Sequence, residues 1–219
     1  MTNADFPRLS SLATPADLRS MTVDELREVA GEVRKAVLHH VSRTGGHLSS
    51  NLGTVELTVA LYAAYDLDED KICWDTGHQA YPHKLLTGRL DRMGTLRQHG
   101  GLSGFLKMTE SPYDHFGAGH AGTAISAAVG YALARDVAAH RHRAVAIVGD
   151  AGIANGMSWE ALNHAGEART DVTVVLNDNR MSIAPNVGAL TNYLAKLRSE
   201  PRFQHLARVA KTVVEKLPE

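Results

Sequence analysis

One cysteine, seven prolines and an aromatic content of 5% are what this 219-residue chain has least of. Cys73 alone cannot close an internal disulfide, which excludes a stapled secreted scaffold and leads us to expect a reducing, cytoplasmic setting. The apolar runs are far too short to cross a bilayer, and the opening MTNADFPRLSSLATPADLRS lacks the basic-then-apolar order of a signal peptide, so no membrane partner is expected. Neither sign of charge dominates. With 23 Lys and Arg against 24 Asp and Glu, the formal charge of -1 offers no electrostatic footprint for nucleic acid. What remains, 44% apolar and 21% charged residues, describes one well-cored globular domain or at most two small ones.

The elements alternate in the α/β manner. Val23, Leu26, Val29, Ala30, Val33, Val37, Leu38 and Val41 stand at helical spacing behind a Thr22-x-x-Glu25 capping box, which predicts a helix over 22–41. TGGHLSSNLG at 44–53 is turn-rich, and a second apolar helix is expected near 54–65. Lys71–Trp74 reads as a short strand ending in the loop DTGHQAYPHK, and 88–119 as loops broken by short helices. Small residues dominate 121–139, which predicts a helix able to pack closely against a neighbour, near a subunit interface. A strand at 143–149, a helix at 156–167, a strand at 171–176 and helices around 187–197 and 201–216 complete a three-layer α/β/α domain with a mainly parallel sheet. No repeat or linker divides the chain.

Two stretches carry the chemistry, VAIVGDAG at 145–152 and VTVVLNDNRMS at 172–182. Each runs an apolar strand into oxygen-bearing side chains, Asp150 in one and Asn177, Asp178 and Asn179 in the other. Buried parallel strands read as continuous Val/Ile/Leu runs, and ligands collect beyond their carboxyl ends. Mg²⁺ takes oxygen ligands and keeps water or phosphate in its shell, so Asp150 and Asn179 suit a metal-diphosphate cradle. Gly149, Ala151, Gly152 and Gly156 would let backbone N–H groups approach phosphate oxygens at a helix start. Taken alone, Gly-Asp-Ala-Gly is equally a tight strand-to-helix turn with a capping Asp; the second strand shifts the balance toward the cradle.

The runs GGHLSSNLGTVELTVAL, WDTGHQAYPHKLLTGR, TLRQHGGLSGF, FGAGHAGTAISAAVGYALA, GDAGIANGMSWEALNHAG and LNDNRMSIAPNVGAL together resemble the N-terminal portion of the 1-deoxy-D-xylulose-5-phosphate synthase family, one of the transketolase-like thiamine diphosphate enzymes. The resemblance covers nearly the whole chain and only about the first third of the family's. It implies thiamine diphosphate and Mg²⁺ as cofactors, with Asp150, Asn179 and the Met181 carbonyl on the metal. It places His78, Gly119, His120, Ala121, Ala151, Gly152 and Asn179 at the cofactor, and His47 facing the substrate, so that His47 and His78 are the catalytic candidates. An imidazole can donate to phosphate and move protons near neutral pH. The remaining histidines have no such context and read as surface or packing residues. Tyr81 and Lys84 lie near His78 and are candidates for a substrate phosphate, although a solvated loop lysine is the plainer reading.

Two departures from the family pattern stand out. Ala151 replaces the glycine of Gly-Asp-Gly; if that position requires positive φ, alanine costs about 1 kcal/mol or somewhat more. GHAGTA at 119–124 replaces GHSSTS, removing three hydroxyls, each worth roughly 0.5–1.5 kcal/mol as a hydrogen bond. The family's activating glutamate belongs to a following pyrimidine-binding domain, and neither that domain nor the C-terminal one is expected within 1–219, which reads as a single diphosphate-binding domain. The resemblance therefore implies a split enzyme, with a partner polypeptide supplying the pyrimidine-binding domain, in an α2β2 heterotetramer. Its substrates would be a 2-oxo acid or ketose donor and an aldehyde acceptor. A transketolase-type carboligase with another donor, and a non-catalytic module or truncated fragment, stand as alternatives.

Overall fold

The computed structural model describes residues 5–178 and a few positions between 189 and 205. The chain divides into two units, Met1–Asn179 and Arg180–Glu219. In the second unit Asn192 and Tyr193 are helical and Tyr193 is exposed; the helices expected around 187–197 and 201–216, with Asn179 and Met181, fall largely or wholly outside the described residues.

In the first unit the helices α1 (Pro7–Ser11), α2 (Val23–Thr44), α3 (Leu48–Leu52) and α4 (Val55–Ala64) precede strand β1 (Lys71–Trp74). After α5 (Tyr81–Lys84) come a π-type turn, a 3₁₀ turn and a long irregular segment, then α6 (Ala124–Val137), β2 (Ala144–Gly149), α7 (Asp150–Ile153), α8 (Gly156–Ala168) and β3 (Thr173–Asn177). The capping box forms as expected: the Glu25 N–H donates to Thr22 Oγ1, and the Glu25 carboxylate accepts the Thr22 N–H. From there α2 buries Val29, Val33, Ala36 and Val37, one stripe at helical spacing.

The sheet is parallel in the order β1-β2-β3. Its period of two sorts the core into layers. Ile72, Trp74, Val145 and Ile147 join the stripe of α2 and the inner face of α4 in one cluster, whereas Cys73, Ala144, Ala146 and Val148, at alternate positions on the same strands, are buried outside it. The small-residue helix α6 packs on both strands, bringing Ala124, Ile125, Ala128, Val129 and Ala132 to near-zero exposure. Small side chains are what let the helix approach so closely. This is the α/β/α sandwich the alternation implies.

One strand departs from expectation. The strand expected at 171–176 runs Thr173–Asn177 and is not buried on both faces: Thr173 and Leu176 are exposed, Leu176 at 38%, with β3 at the edge of the sheet among the described residues. No described helix is long and apolar enough to cross a membrane.

Candidate active site

All three strands deliver their functional residues at their carboxyl ends, as parallel topology requires. β1 leads into Asp75, Thr76, Gly77, His78 and Gln79. The turn is tight: Thr76 and Gly77 both take left-handed φ, 57° and 76°. A Cβ on Gly77 would stand 2.8 Å from Ala118 and 3.0 Å from the Leu106 amide, so the loop lies directly against 105–118. A threonine held left-handed stores strain of order ~1 kcal/mol, a feature that concentrates at functional sites.

This turn brings the two catalytic candidates together. The rings of His47 and His78 lie edge to face with centroids 5.3 Å apart, and Phe105 stands 6.0 Å from His47. Asn51, fully buried, holds both backbones: its amide donates to the carbonyls of His47 at 2.6 Å and His78 at 2.7 Å, and its oxygen accepts the Tyr81 N–H at 2.7 Å. The Thr54 hydroxyl donates to the Gln79 carbonyl at 2.9 Å. Burial lowers the pKa of His47, with the Arg97 charge adding to it. Burial likewise lowers that of His78, aided by His47 and opposed by Asp75. Both imidazoles are thereby held toward the neutral form, in which each ring can give one proton and take another. His78 Nδ1 is buried with no hydrogen-bond partner among the described residues, and so is Nε2 of Gln79, whose Oε1 lies 3.4 Å from Asn177 Nδ2 at the end of β3. Such atoms are costly unless something else satisfies them.

At the end of β2, Gly149 caps α7 and Asp150 occupies its first turn, half-buried. Ala151 is exposed and is not among the residues of positive φ, so the strain contemplated for it does not arise. Gly152 is the position that tolerates no side chain. A Cβ there would meet Asp75 Oδ1 at 2.7 Å and Val148 Cγ1 at 3.0 Å, and its carbonyl accepts the buried Ser158 hydroxyl at 2.7 Å.

The 119–122 loop completes the described rim. Gly119 is extended into the glycine-favouring region at φ 153°, and exposed His120 has Nδ1 3.0 Å from the neighbouring Ala121 carbonyl. Gly122, at φ 86°, packs so closely that a Cβ would fall 2.8 Å from Asn155 Cγ, and Asn155 in turn caps α8 by accepting the Met157 N–H. The loop thus packs its backbone closely against the start of α8. Of the predicted residues, His47 and His78 touch; Gly119, His120 and Ala121 share one loop; Asp150, Ala151 and Gly152 share one turn. Asn179 and Met181 lie outside the described residues, and no three His, Cys, Asp or Glu side chains cluster as metal donors among those described.

Lys84 is corrected by the structure. It is neither a solvated lysine nor a phosphate ligand, because its side chain is wholly buried and its Nζ lies 2.5 Å from Glu110 Oε2. It belongs to a buried polar lock. Tyr62 Oη contacts His83 Nδ1, His83 Nε2 lies 2.8 Å from Asp114 Oδ1, and Arg89 grips both oxygens of Asp114 at 2.9 and 2.8 Å. Burial drives His83 down to about 4 despite Asp114, so the neutral ring donates from Nε2 and accepts the Tyr62 proton at Nδ1. Burial alone would raise Asp114, but its hydrogen bonds from His83 and Arg89 outweigh that and hold it well below the usual carboxylate range. The lock fastens the irregular 97–118 segment: the N–H groups of Ser103 and Lys107 donate to Glu110 and Asp114. His115 takes a related role, its Nδ1 accepting the Ile72 N–H on the open side of β1 at 3.2 Å.

Sequence reasoning missed Asp75 and Asn51. Asp75 was legible by the rule that selected Asp150, a carboxylate directly after an apolar strand; Asn51 was not, since two of its three partners lie 27 and 30 residues away and only the His47 carbonyl is local.

Comparison with known proteins agrees with this geometry. Residues 9–219 match the family model described as 1-deoxy-D-xylulose-5-phosphate synthase. The synthase of Thermomicrobium roseum is 54% identical over 210 residues, covering 95% of this chain and 33% of that protein. That of Thioalkalivibrio sulfidiphilus is 53% identical over 214 residues, covering 97% and 33%. The chain therefore spans about a third of the length of the curated relatives it matches. Among solved structures, transketolase from Campylobacter jejuni superposes with a TM-score of 0.68 at 21% identity, over 77% of this chain and 30% of that one, and transketolase from Leishmania mexicana with 0.65 at 21%, over 78% and 30%. At that identity the likeness establishes a shared transketolase-like fold. By its sequence, the chain belongs to the 1-deoxy-D-xylulose-5-phosphate synthase family.

Proposed function

We propose that this chain is the diphosphate- and Mg²⁺-binding part of a thiamine diphosphate-dependent transferase that decarboxylates pyruvate and joins the remaining two carbons to an aldehyde such as glyceraldehyde 3-phosphate. The observation that carries the reading is the rim itself: His78 Nδ1 and Gln79 Nε2, buried without partners among the described residues, stand in the loop after β1 where Gln79 reaches Asn177 at the end of β3. These atoms suit a bound polar group. Asp150 would provide the carboxylate for the metal, joined by the Asn179 amide and the Met181 carbonyl, a donor set of oxygens appropriate to Mg²⁺. Ala151, Gly152 and the 119–121 segment would line the diphosphate, with His120 on its exposed side.

When bound, thiamine diphosphate supplies the nucleophilic carbon on which a 2-oxo acid loses carbon dioxide and from which a two-carbon unit passes to an acceptor. The chain's own residues orient and move protons. His78, kept toward neutrality beside His47, holds a polar group of cofactor or substrate at Nδ1. His47, with Tyr81 Oη 3.5 Å from its Nδ1, is placed to exchange a proton with the substrate. Phe105 beside His47, and the Leu106 and Ala118 positions against which Gly77 packs, cover that side and limit water there. The activating glutamate of the family would come from a pyrimidine-binding domain on a partner polypeptide, in an α2β2 assembly in the cytoplasm.

The test is to mix the chain with a polypeptide carrying that domain, add thiamine diphosphate, Mg²⁺ and pyruvate, and follow carbon dioxide release with and without glyceraldehyde 3-phosphate. Release that requires both polypeptides and is stimulated by the aldehyde is expected. Transfer from a ketose phosphate with none from any 2-oxo acid would replace this reading with a transketolase-type one.

A further inference from the structure

Asp75 is 2% exposed, yet nothing about its surroundings is apolar by accident. Its N–H donates to the Ile147 carbonyl at 2.8 Å, which makes its backbone a continuation of the β1-β2 ladder and fixes the side chain to the stiffest part of the fold. From that anchor the carboxylate reaches 47 residues along the chain. Oδ1 and Oδ2 accept the Gly122 N–H at 3.0 and 2.9 Å, Oδ2 accepts the Ala124 N–H at 3.2 Å, and Oδ1 accepts the Thr76 hydroxyl at 3.1 Å. On its other side Oδ1 lies 2.7 Å from where a Cβ of Gly152 would be, so the carboxylate sits directly against the turn that carries Asp150. The first residues of α6 have no local alternative: Thr123, at the cap position, makes no capping hydrogen bond with its side chain, because its hydroxyl donates to the His120 carbonyl instead.

We infer that Asp75 is a positioning residue that sets the separation between the 119–122 loop and the 149–152 turn, and so presents a preformed cradle to the cofactor's diphosphate. The inference rests on the cofactor reading above. Each of its contacts serves that spacing. Gly122 takes its left-handed conformation against Asn155 with its N–H held by both carboxylate oxygens, and Gly152 is side-chain-free where the carboxylate passes. A loop already ordered before binding gives up little conformational freedom when the ligand arrives.

Substitution Asp75→Asn keeps the shape but turns an acceptor into a donor facing two backbone N–H groups. Calorimetric titration of the purified chain with thiamine diphosphate and Mg²⁺ should show affinity falling about tenfold to a hundredfold. Arg135→Met is the control. Arg135 ties the far end of α6 to the Asp171 carbonyl at 2.9 Å, so its loss destabilises the same helix away from the cradle and should leave affinity within about threefold. Equal losses from both variants, or undiminished binding by Asp75→Asn, would overturn the inference while leaving the cofactor reading intact; failure of the wild-type chain to bind would overturn both. If Asp75→Asn does not fold, hydrogen exchange on the cofactor-free wild type decides. The Gly122 and Ala124 amides should be protected like the interior of α6, and exchange at the rate of an open loop would sink the proposal.

Discussion

Two groups of polar residues sit within this fold, and they differ in one respect that separates structure from function. In the lock around Asp114 both ring nitrogens of His83, the Asp114 carboxylate and the Lys84 ammonium are buried with partners, His83 between Tyr62 and Asp114, Lys84 on Glu110 and Arg89 on Asp114, although Arg89 Nε has no partner among the described residues. At the rim His47 and His78 are only half-buried, and buried nitrogens on His78 and Gln79 lack hydrogen-bond partners among the described residues. A network paired within the protein rigidifies it, whereas unpaired nitrogens beside a half-open histidine pair leave room for a ligand. The Tyr62-His83-Asp114 chain has the ordering of a proton relay, but at 2% and 0% side-chain exposure its histidine and aspartate serve the fold.

The comparison can be broken by mutation, most severely in the lock. Asp114→Ala leaves the Arg89 guanidinium buried without its carboxylate and should cost about 3–5 kcal/mol, measured as the urea midpoint. Acid should act on the same region. His83 and His115 both hold pKa values of about 4 against an ordinary 6.5, chiefly through burial. Because the unfolded chain takes up their protons first, their contribution is complete above pH 6.5 and is lost as pH falls toward 4, up to about 3 kcal/mol for each. A stability that stays flat over that window would mean the two rings are not buried neutral. At the rim the effect should invert: His78→Ala should change stability by less than about 1 kcal/mol yet, on the function proposed above, remove most of the thiamine diphosphate-dependent transfer. The smallest effect is expected of Ala151→Gly. Since Ala151 is exposed and not left-handed, glycine should bring no gain in cofactor affinity, and cost about 0.5–1 kcal/mol of stability within α7.

The halves of the molecule were also unequally legible in the sequence. α2, β1, β2 and α8 announced themselves because capping, periodicity and strand runs are local signals, and the strand-end rule singled out Asp150, which stands in the first turn after β2. Lys84 misled, since a lysine after Tyr-Pro-His in a glycine-bounded loop looks solvated, and only Glu110, 26 residues away, reveals that it is buried. Asp75 stands at a strand end as Asp150 does, but its hold on Gly122, 47 residues away, and that of Asn51 on His78, 27 residues away, join distant segments, and such contacts leave no pattern in a single chain. The family pattern carried His47, His78 and the 119–121 loop, and also suggested a strain at Ala151 that the backbone does not impose.

The central claim is that the carboxyl ends of β1 and β2 hold a metal-bound diphosphate. A crystal structure of the chain with thiamine diphosphate and Mg²⁺ tests it most directly. We predict the ion on the Asp150 carboxylate and the diphosphate between Gly152 and the 119–121 segment; a diphosphate bound elsewhere, or an ion that makes no contact with Asp150, would contradict the account.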